Sequence, residues 1–270
     1  MAEKDVLVII PAYNEEESIR AVLEQLRQPE IARLVDVLVI NDASKDRTAQ
    51  IAQAEGCAVV THIYNLGYGS GLQVGYKYAL EHGYRYLIQM DADGQHDGCN
   101  VLSLYQSLRT QDADGRYPDI VIGSRFLPGS RSFPISGVKK MGVRFFRMLI
   151  WRTGHQHVQD PTSGLQGLDR KAMAYYAGYQ HFDDRYPDAN MILQMILLNF
   201  KVTEIPSVMY PRRSGKSMHA GLEPFWYMLR MGLSVACVLF RCKVLKLDEN
   251  AGLQEEWPYE EEWRRLPAMS

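Results

Sequence analysis

Two acidic side chains, Asp91 and Asp93, stand two residues apart in the segment DADGQ. They directly follow an apolar run, Tyr86 to Met90, whose length and composition predict a buried strand. Carboxylates at this spacing can face one divalent cation, and hard oxygen ligands suit Mg²⁺ or Mn²⁺ that also binds substrate phosphates. A helix N-cap followed by a turn is the alternative for such a triplet. Its position at the end of a buried strand favours the metal site.

Three other polar or glycine-rich segments follow predicted strands. After the first strand, Tyr13 in PAYNEEE could stack on a base, although Asn14 and the glutamates also suit a helix start. After the second strand, Asp42 could accept hydrogen bonds from a base or ribose, whereas Asp46 is expected to cap the next helix. The segment GYGSG at 67–71 lets the backbone approach a ligand closely, but it lacks the GxGxxG spacing of a dinucleotide fold.

The elements that must position these residues alternate in type along the first half of the chain. Apolar runs predict strands at Val6–Ile10, Val35–Ile40, Ala58–Thr61, Tyr86–Met90 and Ile120–Ile122. Amphipathic segments predict helices near Glu16–Gln28, Arg47–Glu55, Gly71–His82 and Gly98–Gln111. Such alternation indicates an α/β fold with a mostly parallel, Rossmann-like sheet covered on both faces. Sheets of this kind bind ligands beyond the carboxyl ends of their strands, where the unusual residues fall.

The charge is unevenly distributed. Lysine and arginine number 30 against 32 acidic residues, a net charge of −2, which excludes a globally basic nucleic-acid binder. Two acid-poor stretches nevertheless carry seven basic residues each: Arg125, Arg131, Lys139, Lys140, Arg144, Arg147 and Arg152, then Arg212, Arg213, Lys216, Arg230, Arg241, Lys243 and Lys246. This basic middle indicates an anionic partner, either phosphates or lipid headgroups, with solvated surface charge as the alternative.

Two apolar and basic segments lie in the second half of the chain. In helical register, Val138, Met141, Phe145, Met148 and Leu149 share one face of a helix, and Lys140, Arg144 and Arg147 share another. The segment could pack in the core or lie on anionic lipid, with residues 225–244 beside it. The apolar run from Met231 to Phe240 is too short to span a membrane.

The N-terminus shows no signal-peptide pattern, and the four cysteines form no CxxC motif. Both observations lead us to expect a reduced, cytosolic setting.

Taken together, the motifs resemble the dolichol-phosphate mannose synthase-like (polyprenyl-phosphate glycosyltransferase) branch of the family 2 glycosyltransferases. The resemblance covers roughly residues 5 to 217, and the motifs stand in the family's order and spacing. They read VIIPAYNEEESI, VLVINDASKDRTA, NLGYGSGLQVGYKYAL, LIQMDADGQHD, VIGSRF, DPTSGLQGLDRKA and YPRRSGKS.

The resemblance implies a GT-A fold, a nucleotide-sugar donor, Mg²⁺ or Mn²⁺, and inversion at the anomeric carbon. Carried over by motif, the residues implied to bind the nucleotide sugar are Pro11, Tyr13, Glu15, Asp42, Asp91 and Ala92. The implied metal ligands are Asp91, Asp93 and Gln95. The implied catalytic residues are Asp93, Arg125, Asp188 and Arg212, and those facing acceptor or phosphate are Arg131, Arg212 and Ser217. The family's acceptor-side acid is more commonly a glutamate where this chain has Asp188.

These implications give an expected organisation and activity. We expect a GT-A domain at residues 1–217, which includes an amphipathic segment at 137–153, then an interfacial helix at 218–247 and an acidic tail at 248–270. The expected reaction moves a hexose from a UDP- or GDP-linked donor to a polyprenyl phosphate. The alternatives are transfer to a sugar hydroxyl, with Asp188 or Asp160 as base, and nucleotide-sugar binding without turnover.

The expected location follows from the acceptor. Some relatives in the family carry C-terminal transmembrane helices where this chain has its acidic tail. We therefore expect peripheral binding at the cytoplasmic face of a membrane, with a small integral membrane partner or a second copy of the chain as a further partner, and no nucleic acid.

Overall fold

The computed structural model describes residues 4–133, 137–178, 181–185, 187–211 and 223–246. Within these ranges the strands are β1 (Val6–Ala12), β2 (Val35–Asn41), β3 (Ala58–Thr61), β4 (Tyr86–Gln89), β5 (Ile120–Ser124), β6 (Gln166–Asp169) and β7 (Val202–Pro206). The helices are α1 (Ile19–Leu26), α2 (Pro29–Ala32), α3 (Thr48–Ala54), α4 (Tyr68–Glu81), α5 (Cys99–Leu108), α6 (Gly137–Gly154), α7 (Arg170–Ala177), α8 (Ala189–Leu197) and α9 (Glu223–Leu239). A π-helix, Phe240–Leu245, continues from α9.

The strands form one sheet in the order β3-β2-β1-β4-β6-β5-β7. Among the described strands, β6 alone runs against its neighbours, pairing antiparallel with both β4 and β5. The other pairings are parallel. The mostly parallel sheet predicted from the β-α alternation is therefore present, and the antiparallel β6 is an addition to it.

Strand β1 is buried along its whole length because both faces of the sheet are covered. Leu7 and Ile9 face one core, which α4, α7 and α8 cover, and α6 and α9 add residues to the same core. Val8 and Ile10 face the other core, under α1 and α5. A continuous apolar strand is what a sheet covered on both faces requires. Packing on both faces of the sheet therefore fixes the carboxyl end of β1, where the next loop begins.

Five described elements were not predicted from the sequence: the short helix α2 in the first half of the chain, and β6, α7, α8 and β7 in the second half. Strand β6 has four residues, Gln-Gly-Leu-Asp, and this short polar pattern lacks the alternation that would reveal it. Helix α8 is buried from Ala189 to Ile196, so its apolar residues show no helical stripe. Several predicted helices are also shorter at their ends, where polar residues belong to turns; α1 begins at Ile19 rather than near Glu16.

Helix α6 forms as predicted, but its burial differs from the simple core alternative. Val143, Phe146 and Ile150 are buried, whereas Met141 and Phe145 are exposed. Met148 is also exposed, and Leu149 is half-buried. Most of the predicted apolar face that the structure describes thus points away from the core, and a second apolar stripe holds the helix in place.

Arg147 does not belong to the exposed basic face on which the helical register placed it. Its guanidinium lies 4.6 Å from the ring centroid of Phe126, and its Nε donates a hydrogen bond to the carbonyl of Gln159. Burial lowers the pKa of this guanidinium, although the charges of Asp160 and Glu204 oppose that effect. Arg147 therefore attaches α6 to the body of the protein, and Lys140 and Arg144 remain the exposed cations of that helix turn.

Gly75 in α4 tests the packing of this helix on β1. A Cβ at this position would lie 2.7 Å from Cδ1 of Ile9, so we expect Gly75→Ala to lower the free energy of unfolding by about 1–3 kcal/mol. Gly232→Ala in α9 is the matched control, since nothing lies within 4 Å of its Cβ and helix propensity predicts a gain of roughly 0.5–1 kcal/mol. Urea unfolding of both variants measures the difference. Equal stabilities would contradict the described packing.

Candidate functional site

The strand order reverses at β1, with β2 and β3 on one side and β4 on the other. In an open α/β sheet the connections leave this point in opposite directions, which opens a crevice beyond the carboxyl ends of the strands. The loops that follow β1, β2 and β4 all begin at this crevice. They contain Tyr13, Asp42 and the pair Asp91 and Asp93, so the fold brings together the segments that the sequence analysis singled out.

The loops after β1 and β2 are bonded to each other. Asn14 donates its backbone N–H to Oγ of Ser44 at 3.0 Å, and its side-chain oxygen accepts the N–H of Lys45 at 2.8 Å. Asn14 adopts a left-handed backbone with φ of 54°, which asparagine tolerates better than most residues. Tyr13, the residue before it, is exposed and available for stacking. The two loops thus form one fixed edge of the crevice.

Contacts that stabilise the fold involve three other residues of these segments: Pro11, Glu15 and Asp46. Pro11 is buried inside β1, opposite Ile40 of β2. Glu15 accepts a hydrogen bond from Oγ of Ser18 at 2.7 Å, next to the start of α1. Asp46 accepts the N–H of Thr48 at the start of α3, as the capping expectation required.

Asp42 is buried and already hydrogen-bonded on both oxygens. Its Oδ1 accepts the backbone N–H of Leu66 at 2.8 Å, and its Oδ2 accepts that of Gly67 at 2.9 Å. Nδ1 of His62 also lies 2.8 Å from Oδ1. These contacts hold the loop between β3 and α4 against the end of β2. Asp42 therefore organises the loop in addition to any contact with a nucleotide.

The loop after β4 alternates in exposure. Asp91, Asp93 and Gln95 are partly exposed, whereas Ala92 and His96 are buried. The three predicted metal ligands consequently share the accessible side of the loop. The side chain of Ala92 packs in the core instead, so only its backbone could meet a nucleotide sugar.

Asp91 is held by a hydrogen bond on each oxygen. The hydroxyl of Tyr68, the first residue of α4, donates to Oδ1 at 2.9 Å, and Nε2 of His96 lies 3.2 Å from Oδ2. Burial opposes ionisation of Asp91, but the hydrogen bonds from His96 and Tyr68 outweigh it and lower the pKa of the carboxyl. Burial and the neighbouring Asp91 raise the pKa of Tyr68 well above its ordinary value, so its hydroxyl remains a donor.

The positive charge of Arg125 also acts on this carboxylate, and Arg125 is itself fixed by Asp160. Its Nε donates to Asp160 Oδ2 at 2.7 Å and one terminal nitrogen donates to Oδ1 at 2.6 Å, which is a bidentate pair. The same terminal nitrogen also donates to Oγ1 of Thr162 at 2.9 Å. Asp160 is fully buried and holds the guanidinium, so it is a structural partner of Arg125 and not an available base.

The electrostatics of Arg125 connect both sides of the crevice. Burial opposes its charge, but the bonds and charge of Asp160 and the charges of Asp188 and Asp91 raise its pKa. Asp188, half-exposed just before α8, is thus close enough to influence both Arg125 and Tyr68. The structure therefore brings the predicted acceptor-side acid to the same site as Asp91.

The remaining predicted residues divide into two groups. Arg131 is exposed, and its backbone pairs with Ser207 and Met209 after β7. Its charge influences Cys99 and Tyr210, which flank the loop after β4. Arg212 and Ser217 lie outside the described residues.

The donor set of Asp91, Asp93 and Gln95 fits a divalent cation. A Cβ at Gly164 would lie 2.8 Å from Asp91 Oδ2, so the glycine keeps space beside that carboxylate. No cluster of three or more histidine, cysteine, aspartate or glutamate side chains forms a complete metal site in the described part of the chain. A cation would therefore use the two aspartates, the amide oxygen of Gln95 and phosphate oxygens of a ligand, as Mg²⁺ commonly does.

Sequence reasoning missed four contributors to the site: Tyr68, His96, His62 and Gly164. Tyr68 and His62 belong to segments remote from the residues that they contact, so only the folded chain reveals the pairing. His96 follows the acidic motif directly and was the one detectable signal, because a histidine beside two carboxylates is a natural hydrogen-bond donor.

Comparison with known proteins identifies the family. The model of Glycosyl transferase family 2 matches residues 7–176. Undecaprenyl-phosphate mannosyltransferase of Micrococcus luteus is 30% identical over 236 residues, which cover 80% of this chain and 88% of that protein. Polyprenol monophosphomannose synthase of Mycolicibacterium smegmatis is 32% identical over 232 residues, which cover 80% and 81%.

Solved structures show the same fold. Glucosyl-3-phosphoglycerate synthase from Mycobacterium tuberculosis, in complex with Mn²⁺ and UDP-glucose, superposes with a TM-score of 0.63. The two sequences are 20% identical, and the match covers 89% of this chain and 79% of that one. The expected GT-A fold is thereby confirmed.

The family model spans more than half of the chain, and two relatives reach 30% identity over most of their length. The resemblance drawn from the motifs is confirmed by these matches. The chain belongs to glycosyl transferase family 2, in its dolichol-phosphate mannose synthase-like branch, and is a glycosyltransferase.

Proposed function

We propose that this enzyme transfers a hexose from a UDP- or GDP-linked donor to a polyprenyl phosphate, with inversion, at the cytoplasmic face of a membrane. The observation that carries the proposal is that Asp91 and Asp93 follow β4 at the reversal point of the sheet, where the charge of Arg125, held in place by Asp160, acts on Asp91. The names of the two relatives supply the acceptor class, because both refer to a polyprenyl or polyprenol phosphate.

The charges of this reaction balance without a general base. An oxygen of the acceptor phosphate forms a bond to the anomeric carbon, and the bond from that carbon to the donor diphosphate breaks. The leaving nucleoside diphosphate takes the electron pair and gains the negative charge that the acceptor phosphate loses. Phosphate monoesters are largely dianionic at neutral pH, since their second pKa is about 6, so no proton needs to move.

Stabilising the leaving diphosphate is then the main task of the site. A divalent cation, when bound, would neutralise charge that develops on the diphosphate oxygens. Asp91, Asp93 and Gln95 would hold the cation. Arg125, held in place by Asp160, adds a fixed positive charge that needs no rearrangement during the reaction.

The nucleotide would occupy the loops after β1 and β2. Tyr13 is exposed beside them, which suits stacking on a base, and Asp42 lies at the end of β2. Arg131 and, outside the described residues, Arg212 and Ser217 are proposed to meet the phosphates. Asp188 has no required proton to remove from a phosphate acceptor, so the proposal gives it an acceptor-side position and no role as base.

A membrane surface fits the outward faces of α6 and α9. On α6 the exposed apolar residues Met141, Phe145, Met148 and Trp151 accompany the exposed cations Lys140, Arg144 and Arg152. On α9 and the π-helix, Leu233, Phe240, Val244 and Leu245 accompany Arg230, Lys243 and Lys246. We call these two sets together the apolar–basic surface.

The two parts of the apolar–basic surface are connected where the π-helix meets the end of α6. Lys243 donates a hydrogen bond from Nζ to the carbonyl of Thr153 at 2.8 Å, which connects the π-helix to the end of α6. Large exposed apolar side chains with cations and no acid beside them are typical of a helix on anionic lipid. None of the described helices is both long enough and apolar enough to cross a bilayer. Peripheral attachment through the apolar–basic surface is the proposed mode.

The proposed organisation retains the expected boundaries at 217 and 247, with one qualification. Met231, Val235 and Val238 of α9 share the core that α8 joins, so the proposed interfacial helix is packed on the catalytic domain. The four cysteines are free, as in proteins of a reducing compartment, which supports the cytoplasmic face. A small membrane partner or a second copy remains a proposal from the family resemblance.

The activity is tested by incubating the full chain with Mn²⁺, UDP- and GDP-hexoses and undecaprenyl phosphate, and measuring lipid-linked sugar. We expect transfer from one donor, and a loss of at least about a hundredfold in Asp93→Ala because the leaving group is then poorly neutralised. Asp114→Ala, an exposed acid outside the site, is the control. Transfer only to a sugar hydroxyl, or nucleotide binding without turnover, would contradict the proposal.

The membrane proposal is tested by flotation with vesicles that contain phosphatidylglycerol. We expect Phe145→Ser combined with Met148→Ser to weaken vesicle binding by roughly tenfold or more, because each buried apolar side chain contributes about 1.5–3 kcal/mol. Ile63→Ser is the matched control, since Ile63 is 87% exposed in the loop between β3 and α4. Binding that is unchanged in the double variant would show that the apolar–basic surface does not meet lipid.

A further inference from the structure

The hydrogen bonds on Asp91 come from two separate parts of the chain. Tyr68 opens α4, and its hydroxyl donates to Oδ1 at 2.9 Å. His96 belongs to the same loop as Asp91, and its Nε2 lies 3.2 Å from Oδ2. A carboxylate only accepts hydrogen bonds, so the proton of His96 must be on Nε2 for this contact to be favourable. Each oxygen of Asp91 is thus directed by one donor.

The position of Tyr68 is fixed by its neighbours. Gly67 has a φ of +96°, which lets the chain turn directly into α4. A Cβ at Gly69 would collide with the carbonyl of Asp183, and Ser70 donates its N–H to the carbonyl of Asp184 at 3.0 Å. The start of α4 is therefore pressed against the loop that precedes α8. The phenol ring has little freedom to leave Asp91.

His96 is fixed equally well. It is 1% exposed, and its backbone forms an isolated bridge with Met209 beyond β7. The adjacent Gln95 accepts the N–H of Tyr210 at 2.7 Å. The imidazole is consequently held from behind while its Nε2 contacts the carboxylate.

We propose that Tyr68 is a positioning residue for the donor site, whose hydroxyl, together with His96, orients the Asp91 carboxylate to bind a cation-bound nucleoside diphosphate. The inference rests on the proposed function and adds residues that the family motifs do not assign. Hydrogen bonds to the ligands of a metal fix their orientation, and removing one typically weakens metal affinity by about 10- to 100-fold. Tyr68 touches the ligand residue and not the reacting atoms.

The test is isothermal titration calorimetry of the full chain with Mn²⁺ and a nucleotide. The nucleotide is UDP or GDP, whichever the wild type binds more tightly. We expect Tyr68→Phe to raise the Kd of the Mn²⁺–nucleotide pair by roughly tenfold or more, since only the hydroxyl is removed. The melting temperature of Tyr68→Phe without ligand should match that of the control variant Tyr84→Phe.

Tyr84→Phe is the matched control. The hydroxyl of Tyr84 donates to Asp36 Oδ2 at 2.9 Å, the same type of bond at the amino-terminal end of the sheet. We expect Tyr84→Phe to lose one tyrosine–aspartate hydrogen bond, as Tyr68→Phe does, without a change in the Kd of the Mn²⁺–nucleotide pair. His96→Gln, which can present an amide nitrogen near the position of Nε2, should bind more tightly than His96→Ala.

The outcomes separate the inference from the proposed function. If the wild type binds Mn²⁺–nucleotide and Tyr68→Phe binds it equally well, the positioning role is wrong while the proposed function stands. If the wild type binds neither UDP nor GDP with Mn²⁺, the proposed function fails and the inference fails with it. A parallel fall in melting temperature and affinity, absent from Tyr84→Phe, would assign Tyr68 a structural role only.

Discussion

The site depends on holding several carboxylates in fixed positions at one edge of a sheet. The protein holds Asp42, Asp91 and Asp160 with three different kinds of partner. Asp42 accepts backbone N–H groups, Asp91 accepts a phenol and an imidazole, and Asp160 pairs with a guanidinium. A buried carboxylate needs such partners, because burial removes the water molecules that would otherwise form hydrogen bonds with its oxygens. Each arrangement also fixes the position of a loop or side chain that the site needs.

The division of work among these acids has a functional consequence. Asp160 binds Arg125 through both of its oxygens, and Asp42 holds the loop between β3 and α4 in addition to any contact with a nucleotide. Asp91 and Asp93 remain on the accessible side of their loop, where a cation and a diphosphate can reach them. The separation matches a reaction in which charge on a leaving group must be stabilised and no proton needs to be removed. A phosphate acceptor fits this site best, because it needs no side chain to remove a proton from it.

The sequence was sufficient for the strands in the first half of the fold, because they are apolar runs separated by helices of ordinary length. Val35–Ile40 and Tyr86–Met90 could be recognised as strands, and their ends located Asp42 and Asp91 at one sheet edge. It was insufficient for β6, whose few polar residues are strand-forming only because β4 and β5 lie on either side. Helical register on α6 could not show which stripe faces the core, since both are apolar.

For the site, motif order was enough to identify the family but not the contacts between remote residues. The pairing of Tyr68 with Asp91 joins residues 23 positions apart, and that of Arg125 with Asp160 joins residues 35 apart. Such pairs depend on where the sheet places their segments, which no local pattern records. Asp160 illustrates the limit, because an acid near the acceptor motif suggested a base and the fold made it an anchor.

The central claim is that the aspartates after β4 bind a cation that carries the diphosphate of a nucleotide sugar. A crystal of the full chain grown with Mn²⁺ and UDP or GDP, with diffraction recorded near the manganese absorption edge, tests it most directly. The account predicts an anomalous peak coordinated by Asp91, Asp93, Gln95 and the diphosphate. A nucleotide bound with no manganese at these side chains, or bound away from the crevice between β1 and β4, would contradict it.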